Sequence, residues 1–238
     1  MILITMAGKS SRFYQAGYRI PKYALEYRGQ SIFEWSTKTF ESKFSSEKFV
    51  FVIRNDDFSF SFVKDKINKL EIKNYDIVVI DKDTRGQAES AYIALKQYHD
   101  DFPVTIFNID TIRYNYSEPK FYNECDGYLE VFEGDGEQWS FIEPLSNFNV
   151  GRTAEKDRIS KYCSNGLYYF KSQLMFQSIF ESMQEKNEMS KGEFYIAPMY
   201  NYLIQNGLTI KYFYVSIADM AFCGTPAEYE ELISKENR

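Results

Sequence analysis

Arg12 and Lys22 lie on either side of a stretch of small residues, and their types and spacing suit a polyphosphate ligand. The apolar run MILIT reads as a buried strand, followed at once by MAGKSSRF and then by Pro21-Lys22. Ala7 and Gly8 let the backbone approach a ligand that larger side chains would hold off. The N–H groups of such a turn, with Ser10 and Ser11 beside them, can point at phosphate oxygens. Arg12 and Lys22 supply the positive charge that a triphosphate needs. An ordinary strand-to-loop turn has the same composition, so the weight falls on what lies downstream.

Two downstream segments agree. In Asp81-Lys82-Asp83-Thr84-Arg85-Gly86-Gln87-Ala88, Gly86 permits a sharp turn and Gln87 opens a helix. A side-chain amide there offers both a donor and an acceptor to the edge of a base. Further on, Asn108-Ile109-Asp110-Thr111 follows an apolar run directly. A carboxylate at the end of a central strand suits Mg²⁺, which takes hard oxygen ligands shared between protein, water and substrate phosphates. A first-turn glutamine and a turn-opening aspartate are also common structural features. Position favours function, because these loops are expected to meet.

The elements that bring them together are legible in the hydrophobic pattern. Strands are predicted at 2–5, 49–53, 77–80 and 104–107, with helices at 31–44, 58–70 and 87–98 between them. Such alternation implies βαβ units, a mostly parallel sheet and right-handed crossovers. Ligands of such sheets sit beyond the carboxyl ends of the strands, so the loops after Thr5, Ile80 and Phe107 are expected to converge on one crevice. The second half reads differently. Strands are predicted at 127–132, 138–143, 150–155 and 166–170, with Gly134-Asp135-Gly136 the clearest turn. Helices at 173–186 and 194–206, a strand at 209–215 and a helix from Pro226, N-capped by Thr225, complete the chain. The fold class is α/β, Rossmann-like, with a mixed C-terminal half. A single domain is expected over 1–238, its nucleotide-binding half at 1–115 and its acceptor-binding half at 116–238.

Composition removes several classes. A chain of 238 residues with net charge −6 lacks the electrostatic footprint of a nucleic-acid binder, so a phosphate ligand must be met by local cations. The aromatic share of 18% is high, but Tyr and Phe are spread along the whole length, as a compositional bias would leave them. The three cysteines, Cys125, Cys163 and Cys223, form no CxxC pair, which argues against a disulfide framework or zinc site and fits a reducing cytoplasm. No run approaches the ~18–20 apolar residues of a membrane span, so no membrane insertion is expected. His99 is the only histidine and sits in a polar segment, which disfavours Ser-His-Asp or His–metal chemistry.

With these loops in view, the chain resembles the sugar-phosphate nucleotidyltransferase superfamily over nearly its whole length. Met6-Ala7-Gly8-Lys9-Ser10-Ser11-Arg12-Phe13 is similar to the family's glycine-rich signature, and Pro21-Lys22 to its proline–lysine element. Gly86-Gln87-Ala88 resembles the base-reading turn, and Asn108-Ile109-Asp110 the metal-aspartate turn. Ala154-Glu155-Lys156 resembles the pair facing the acceptor, and Asn165-Gly166-Leu167-Tyr168-Tyr169-Phe170 the strand beside it. Gly192-Glu193-Phe194-Tyr195 and Gly224-Thr225-Pro226 match two later motifs. The nearest likeness is to capsule-biosynthesis proteins of this type that often carry the label of family 2 glycosyltransferases. Two positions depart from the pattern: Ser10 stands where the family usually has a second glycine, and Phe222 where it has a second metal aspartate, with Asp219 nearby but out of register.

The resemblance implies an enzyme that joins an NTP to a sugar phosphate or phosphorylated polyol, releases pyrophosphate and uses Mg²⁺. CTP is slightly favoured as the triphosphate, and the product would serve capsular or other surface polysaccharide. Arg12 and Lys22 would be catalytic. Ala7, Gly8, Ser10, Ser11, Gly86, Gln87 and Asn108 would bind the nucleotide, and Glu155, Lys156, Gly166 and Glu193 the acceptor. Asp110 would hold the metal, with Asp219 as the second candidate. The rival readings are a family 2-type glycosyltransferase with a nucleotide-sugar donor and a non-catalytic nucleotide-sugar-binding protein.

Overall fold

The strand–helix alternation of the first half survives folding almost element for element. A computed structural model describes residues 1–235. The first half holds β1 (Ile2–Thr5), α1 (Ser11–Gln15), β2 (Glu26–Tyr27), β3 (Gln30–Ser31), α2 (Ile32–Thr37), β4 (Phe49–Arg54), α3 (Ser59–Lys69), β5 (Tyr75–Ile80), α4 (Gln87–Leu95), β6 (Val104–Asn108) and β7 (Thr111–Arg113). The second holds β8 (Gly127–Glu133), β9 (Ser140–Pro144), β10 (Val150–Glu155), β11 (Tyr162–Phe170), α5 (Gln173–Glu185), α6 (Met199–Gln205), β12 (Ile210–Tyr214), β13 (Met220–Phe222) and α7 (Pro226–Ser234).

These elements gather into two units that interleave along the chain. One comprises residues 2–82, 108–116 and 218 onward; the other comprises residue 1, 83–107 and 117–217. In the first, β1, β4 and β5 run parallel in that order, with Ile2 opposite Phe49 and Phe49 opposite Tyr75. β1 and β4 read as apolar runs because a parallel sheet is covered on both faces, whereas β5 at the edge carries Asp76 and leaves Val79 exposed. A core of Phe13, Leu25, Tyr27, Ile32, Ile112, Cys223, Tyr229 and Leu232 ties α1, α2, β7 and α7 together. In the other unit β11 is the hub. It pairs antiparallel with β6, β8 and β9; β10 adds to β9, and β12 runs parallel to β8. The protein is therefore α/β, Rossmann-like in its parallel sheet and mixed in its C-terminal half.

Three predicted elements change shape. The helix expected over 31–44 is α2 followed by a 3₁₀ stretch, Lys38–Lys43, broken where Phe40 leaves helical geometry at φ −106° and ψ 26°. The helix expected over 194–206 begins only at Met199, with Pro198 as its N-cap. Residues 194–197 stay irregular because the Phe194 backbone bonds elsewhere: its N–H donates to the Arg85 carbonyl at 2.5 Å, and its carbonyl accepts from Ala88 N–H at 3.1 Å. The strand expected at 166–170 begins at Tyr162 and carries a bulge against β8 between Ser164 and Tyr168. Gly166 sits inside that bulge at φ +93°, a conformation that glycine adopts without strain.

Glu34 anchors α2 by a capping box. It accepts the Ser31 N–H at 2.9 Å and the Ser31 hydroxyl at 2.8 Å, and pairs with Lys69 at 2.7 Å and Lys66 at 3.2 Å from α3. Burial alone would raise its pKa, but Lys69, Ser31 and Lys66 together hold it down at about 2, from an ordinary 4.5. A carboxyl whose folded pKa is depressed stabilises the fold fully above pH 4.5 and loses that contribution as pH falls toward 2. Glu34→Gln is therefore expected to lower stability by about 2 kcal/mol at neutral pH. Urea titrations should show the gap to wild type closing in acid, and a gap independent of pH would contradict this origin.

Candidate active site

In the parallel unit the signature loop turns on Ser10. Its backbone lies in the left-handed region at φ 52°, and its carbonyl accepts the Phe13 N–H at 2.9 Å. Its hydroxyl accepts the Lys22 backbone N–H at 3.2 Å, which fastens the glycine-rich loop to the proline–lysine loop. Serine thus occupies the family's second glycine position, and its side chain provides this link. Ala7 is half-buried, while Gly8, Ser11 and Arg12 are exposed.

Lys22 carries the other half of the arrangement. Its ammonium lies 2.5 Å from Asp110 Oδ2, with 18% and 23% of the two side chains exposed. Burial pushes the Asp110 carboxyl up, but the Lys22 ammonium and the more distant Arg12 outweigh it and hold the pKa below the usual value. Arg12, Lys22 and Asp110 therefore form one electrostatic group, joined to Ser10 by a backbone contact. Asn108, at the end of β6, accepts the Ser36 hydroxyl on its carbonyl at 3.3 Å. Cys223 N–H donates to the Asp110 carbonyl at 2.9 Å and brings Gly224 against the carboxylate. A Cβ on Gly224 would stand 3.0 Å from Asp110 Oδ2 and 3.4 Å from Glu228 Oε2. The late Gly-Thr-Pro motif thus clears space beside Asp110, and Thr225 and Glu228 close the capping box that starts α7.

Asp219 does not share this place. The β7–β13 ladder sets Phe222 opposite Thr111, Ala221 opposite Ile112 and Met220 opposite Arg113. Asp219 follows on, with Tyr114 N–H donating to its carbonyl at 2.8 Å and Asn115 Nδ2 3.5 Å from its carboxylate. At roughly 3.3 Å per residue, that position is roughly 13 Å along the strand from Asp110. Asp219, the second metal candidate, is thus set apart from Asp110 along the ladder. Among the described residues no group of three or more His, Cys, Asp or Glu side chains could enclose a metal. One ionised carboxylate that already faces a cation does fit Mg²⁺, which commonly takes one or two protein carboxylates and completes its shell with water and phosphate oxygens.

In the other unit the base-type turn is shaped by Phe194. Gly86 lies at φ +125°, and a Cβ there would stand 2.5 Å from the Phe194 carbonyl oxygen, so only glycine fits. Gln87 is the half-buried first residue of α4. Arg85 flanks the turn, pairing with Glu89 at 2.5 Å and lying 4.9 Å from the Phe194 ring centre.

Glu155 ends β10 and Lys156 follows it. The Ser140 hydroxyl donates to the Glu155 carboxylate, and the Tyr168 hydroxyl lies 3.5 Å from that of Ser140. Burial raises the Glu155 pKa and the Glu193 charge adds to it, with Ser140 and Lys156 opposing. Lys156 has a left-handed backbone at φ 52° and donates its N–H to the Trp139 carbonyl at 2.9 Å. Its ammonium donates to the Tyr195 hydroxyl and lies 4.5 Å from that ring's centre. Gly166 occupies the β11 bulge, where Asn165 Nδ2 donates to Glu130 Oε2 at 2.7 Å. Sequence reasoning assigned no role to Ser140, Tyr168, Tyr195 or Gly224. All four stand inside motifs of the resemblance, Ser140 in Gln138-Trp139-Ser140-Phe141, and its register opposite Glu155 brings its hydroxyl to that carboxylate.

Strand ends that deliver a small-residue loop, a lysine and a lone carboxylate define a nucleotide-handling α/β protein. No protein-family model matches the chain, and no curated protein sequence does. Solved structures do. The nucleoside-diphosphate-sugar pyrophosphorylase from Vibrio cholerae RC9 is 42% identical over 98% of this chain and 100% of its own, with a TM-score of 0.94. The inositol-1-phosphate CTP transferase from T. maritima is 17% identical over 98% of this chain and 94% of its own, with a TM-score of 0.74. A UDP-glucose pyrophosphorylase complexed with UDP-glucose is 16% identical over 99% and 97%, with a TM-score of 0.74. The last two share the fold. The first shows the family: the chain belongs to the sugar-phosphate nucleotidyltransferase superfamily, and it is a nucleotidyltransferase.

Proposed function

We propose that this enzyme joins an NTP to a sugar phosphate or phosphorylated polyol with release of pyrophosphate. The observation that carries this reading is the Ser10–Lys22–Asp110 group with Arg12 beside it. It suits a triphosphate better than a nucleotide-sugar donor, which has little use for both cations. By name, the Vibrio cholerae relative is a nucleoside-diphosphate-sugar pyrophosphorylase and the T. maritima neighbour an inositol-1-phosphate CTP transferase. CTP is the slightly favoured triphosphate, and the product an activated precursor for capsular or other surface polysaccharide. We read 1–238 as one nucleotidyltransferase domain acting in the cytoplasm; among the described residues no helix is long and apolar enough to cross a membrane.

The reaction is attack of an acceptor phosphate oxygen on the α-phosphorus and in-line departure of pyrophosphate. The nucleophile is already an anion, so positioning and charge neutralisation matter more than a base. That suits a chain with one histidine. Ala7, Gly8, Ser10 and Ser11 cradle the phosphates and Arg12 steadies the outer two. Lys22 turns from Asp110 to the α-phosphate as charge grows there. Asp110 would hold Mg²⁺, which supplies neutralisation of the triphosphate when bound. Gly86, Gln87 and Asn108 contact the nucleoside. Lys156 receives the acceptor phosphate, and Glu155, Gly166 and Glu193 meet its hydroxyl-bearing part.

The reading is tested by offering each NTP with Mg²⁺ and a panel of phosphorylated sugars and polyols while following pyrophosphate. Release with at least one pair supports it; release with none overturns it. On the nucleotide side, Gln87→Ala is expected to weaken NTP binding and flatten the ranking among bases, by ~1–3 kcal/mol as for bidentate amide readout elsewhere. Wild-type affinity and ranking would reduce Gln87 to a helix residue.

A further inference from the structure

The acceptor lysine is held by more than its own backbone. Lys156 keeps a left-handed conformation at φ 52°, which a non-glycine residue adopts only where its surroundings impose it. Its side chain ends in two contacts with one residue: the ammonium donates to the Tyr195 hydroxyl and sits 4.5 Å from the centre of the same ring. That hydrogen bond fixes where the ammonium ends and so restricts a tail that otherwise samples many rotamers. Tyr195 is itself held on both sides. Phe194 before it is fully buried, with its ring 5.3 Å from that of Phe180, and Ile196 after it is buried too. The Phe194 backbone is bonded to Arg85 and Ala88, on either side of Gly86.

We propose that Tyr195 is a positioning residue, holding the Lys156 ammonium where an acceptor phosphate is received and tying that place to the Gly86-Gln87 turn through Phe194. The proposal rests on the nucleotidyl-transfer reading for its substrate, and on the contacts alone for the positioning. The hydroxyl takes one donor of an ammonium that has several, so Lys156 can stay on the tyrosine while it binds a phosphate oxygen. The hydroxyl makes the contact, and the ring carries the hydroxyl to the ammonium.

Tyr195→Phe and Tyr195→Leu separate them. In the first, the KM for the acceptor phosphate is expected to rise about tenfold, as for loss of one hydrogen bond to a charged group, with the KM for NTP unchanged. Tyr195→Leu should raise the acceptor KM further, so that phenylalanine is a partial rescue. An acceptor KM equal to wild type in both variants, or an equal rise in both KM values, would overturn the proposal. A second readout needs no turnover: limiting acetic anhydride followed by peptide mass spectrometry gives the acetylation rate of Lys156 relative to the other lysines. That ratio should change several-fold in both variants with melting temperatures near wild type. An unchanged ratio refutes the positioning even if the enzyme works as proposed. A changed ratio in a protein that transfers no nucleotide upholds the positioning and refutes the reaction instead.

Discussion

Lys22→Ala is expected to lower kcat for pyrophosphate release by ~10²–10³ while the KM for NTP moves much less. Without ligand the ammonium rests 2.5 Å from Asp110. What it gains on approaching the α-phosphate appears as negative charge builds there, so its loss is felt by the transition state. Lys22→Arg should restore little, because a planar guanidinium cannot take the place of a compact ammonium at a crowded phosphorus. Steady-state rates across NTP concentrations decide the matter. A variant with wild-type kcat and a raised KM would make Lys22 a ground-state binder only.

Asp110→Asn has the other large expected effect. Asp219 is set beside Tyr114 and Asn115 and Phe222 level with Thr111, whereas Asp110 faces Lys22, and in the proposed reaction it is Asp110 that would hold Mg²⁺. Neutralising it is expected to reduce Mg²⁺-dependent turnover by ~10³ or more. The fold should be retained, since the Lys22 pair is partly exposed and such pairs add little to stability. Turnover over a Mg²⁺ titration, read beside circular dichroism, checks both parts. Wild-type rates at saturating Mg²⁺ would remove Asp110 from the site.

Where the fold was legible, the signal was local. Apolar runs at 2–5, 49–53, 77–80 and 104–107 read as strands and fold as strands, three of them one or two residues longer, and Thr225-Pro226 announced α7 through its own cap. Where it was not, distant partners decided. Nothing within 194–198 says that Phe194 will spend its backbone on Arg85 and Ala88, which keeps the helix from starting before Pro198. The Ser140–Glu155 contact depends on strand register and the Tyr195–Lys156 contact on the path of an irregular segment, neither of which a single sequence encodes locally. Asp219 shows the same limit in reverse. It lies near the expected motif in sequence, yet ladder pairing carries it along the strand away from Asp110. The chain also interleaves its two units, with 83–107 clustering with the second half rather than the first.

The central claim is that an acceptor phosphate oxygen attacks the α-phosphorus of an NTP. The most direct measurement uses an acceptor whose phosphate oxygens carry oxygen-18, with phosphorus NMR and mass spectrometry of both products. Nucleotidyl transfer places the label in the bridge between the two phosphorus atoms of the activated product and on its outer phosphate, and leaves the released pyrophosphate unlabelled. Labelled pyrophosphate, or a nucleotide product without the label, would contradict that chemistry. So would consumption of a nucleotide sugar in a reaction that no NTP and acceptor phosphate can replace.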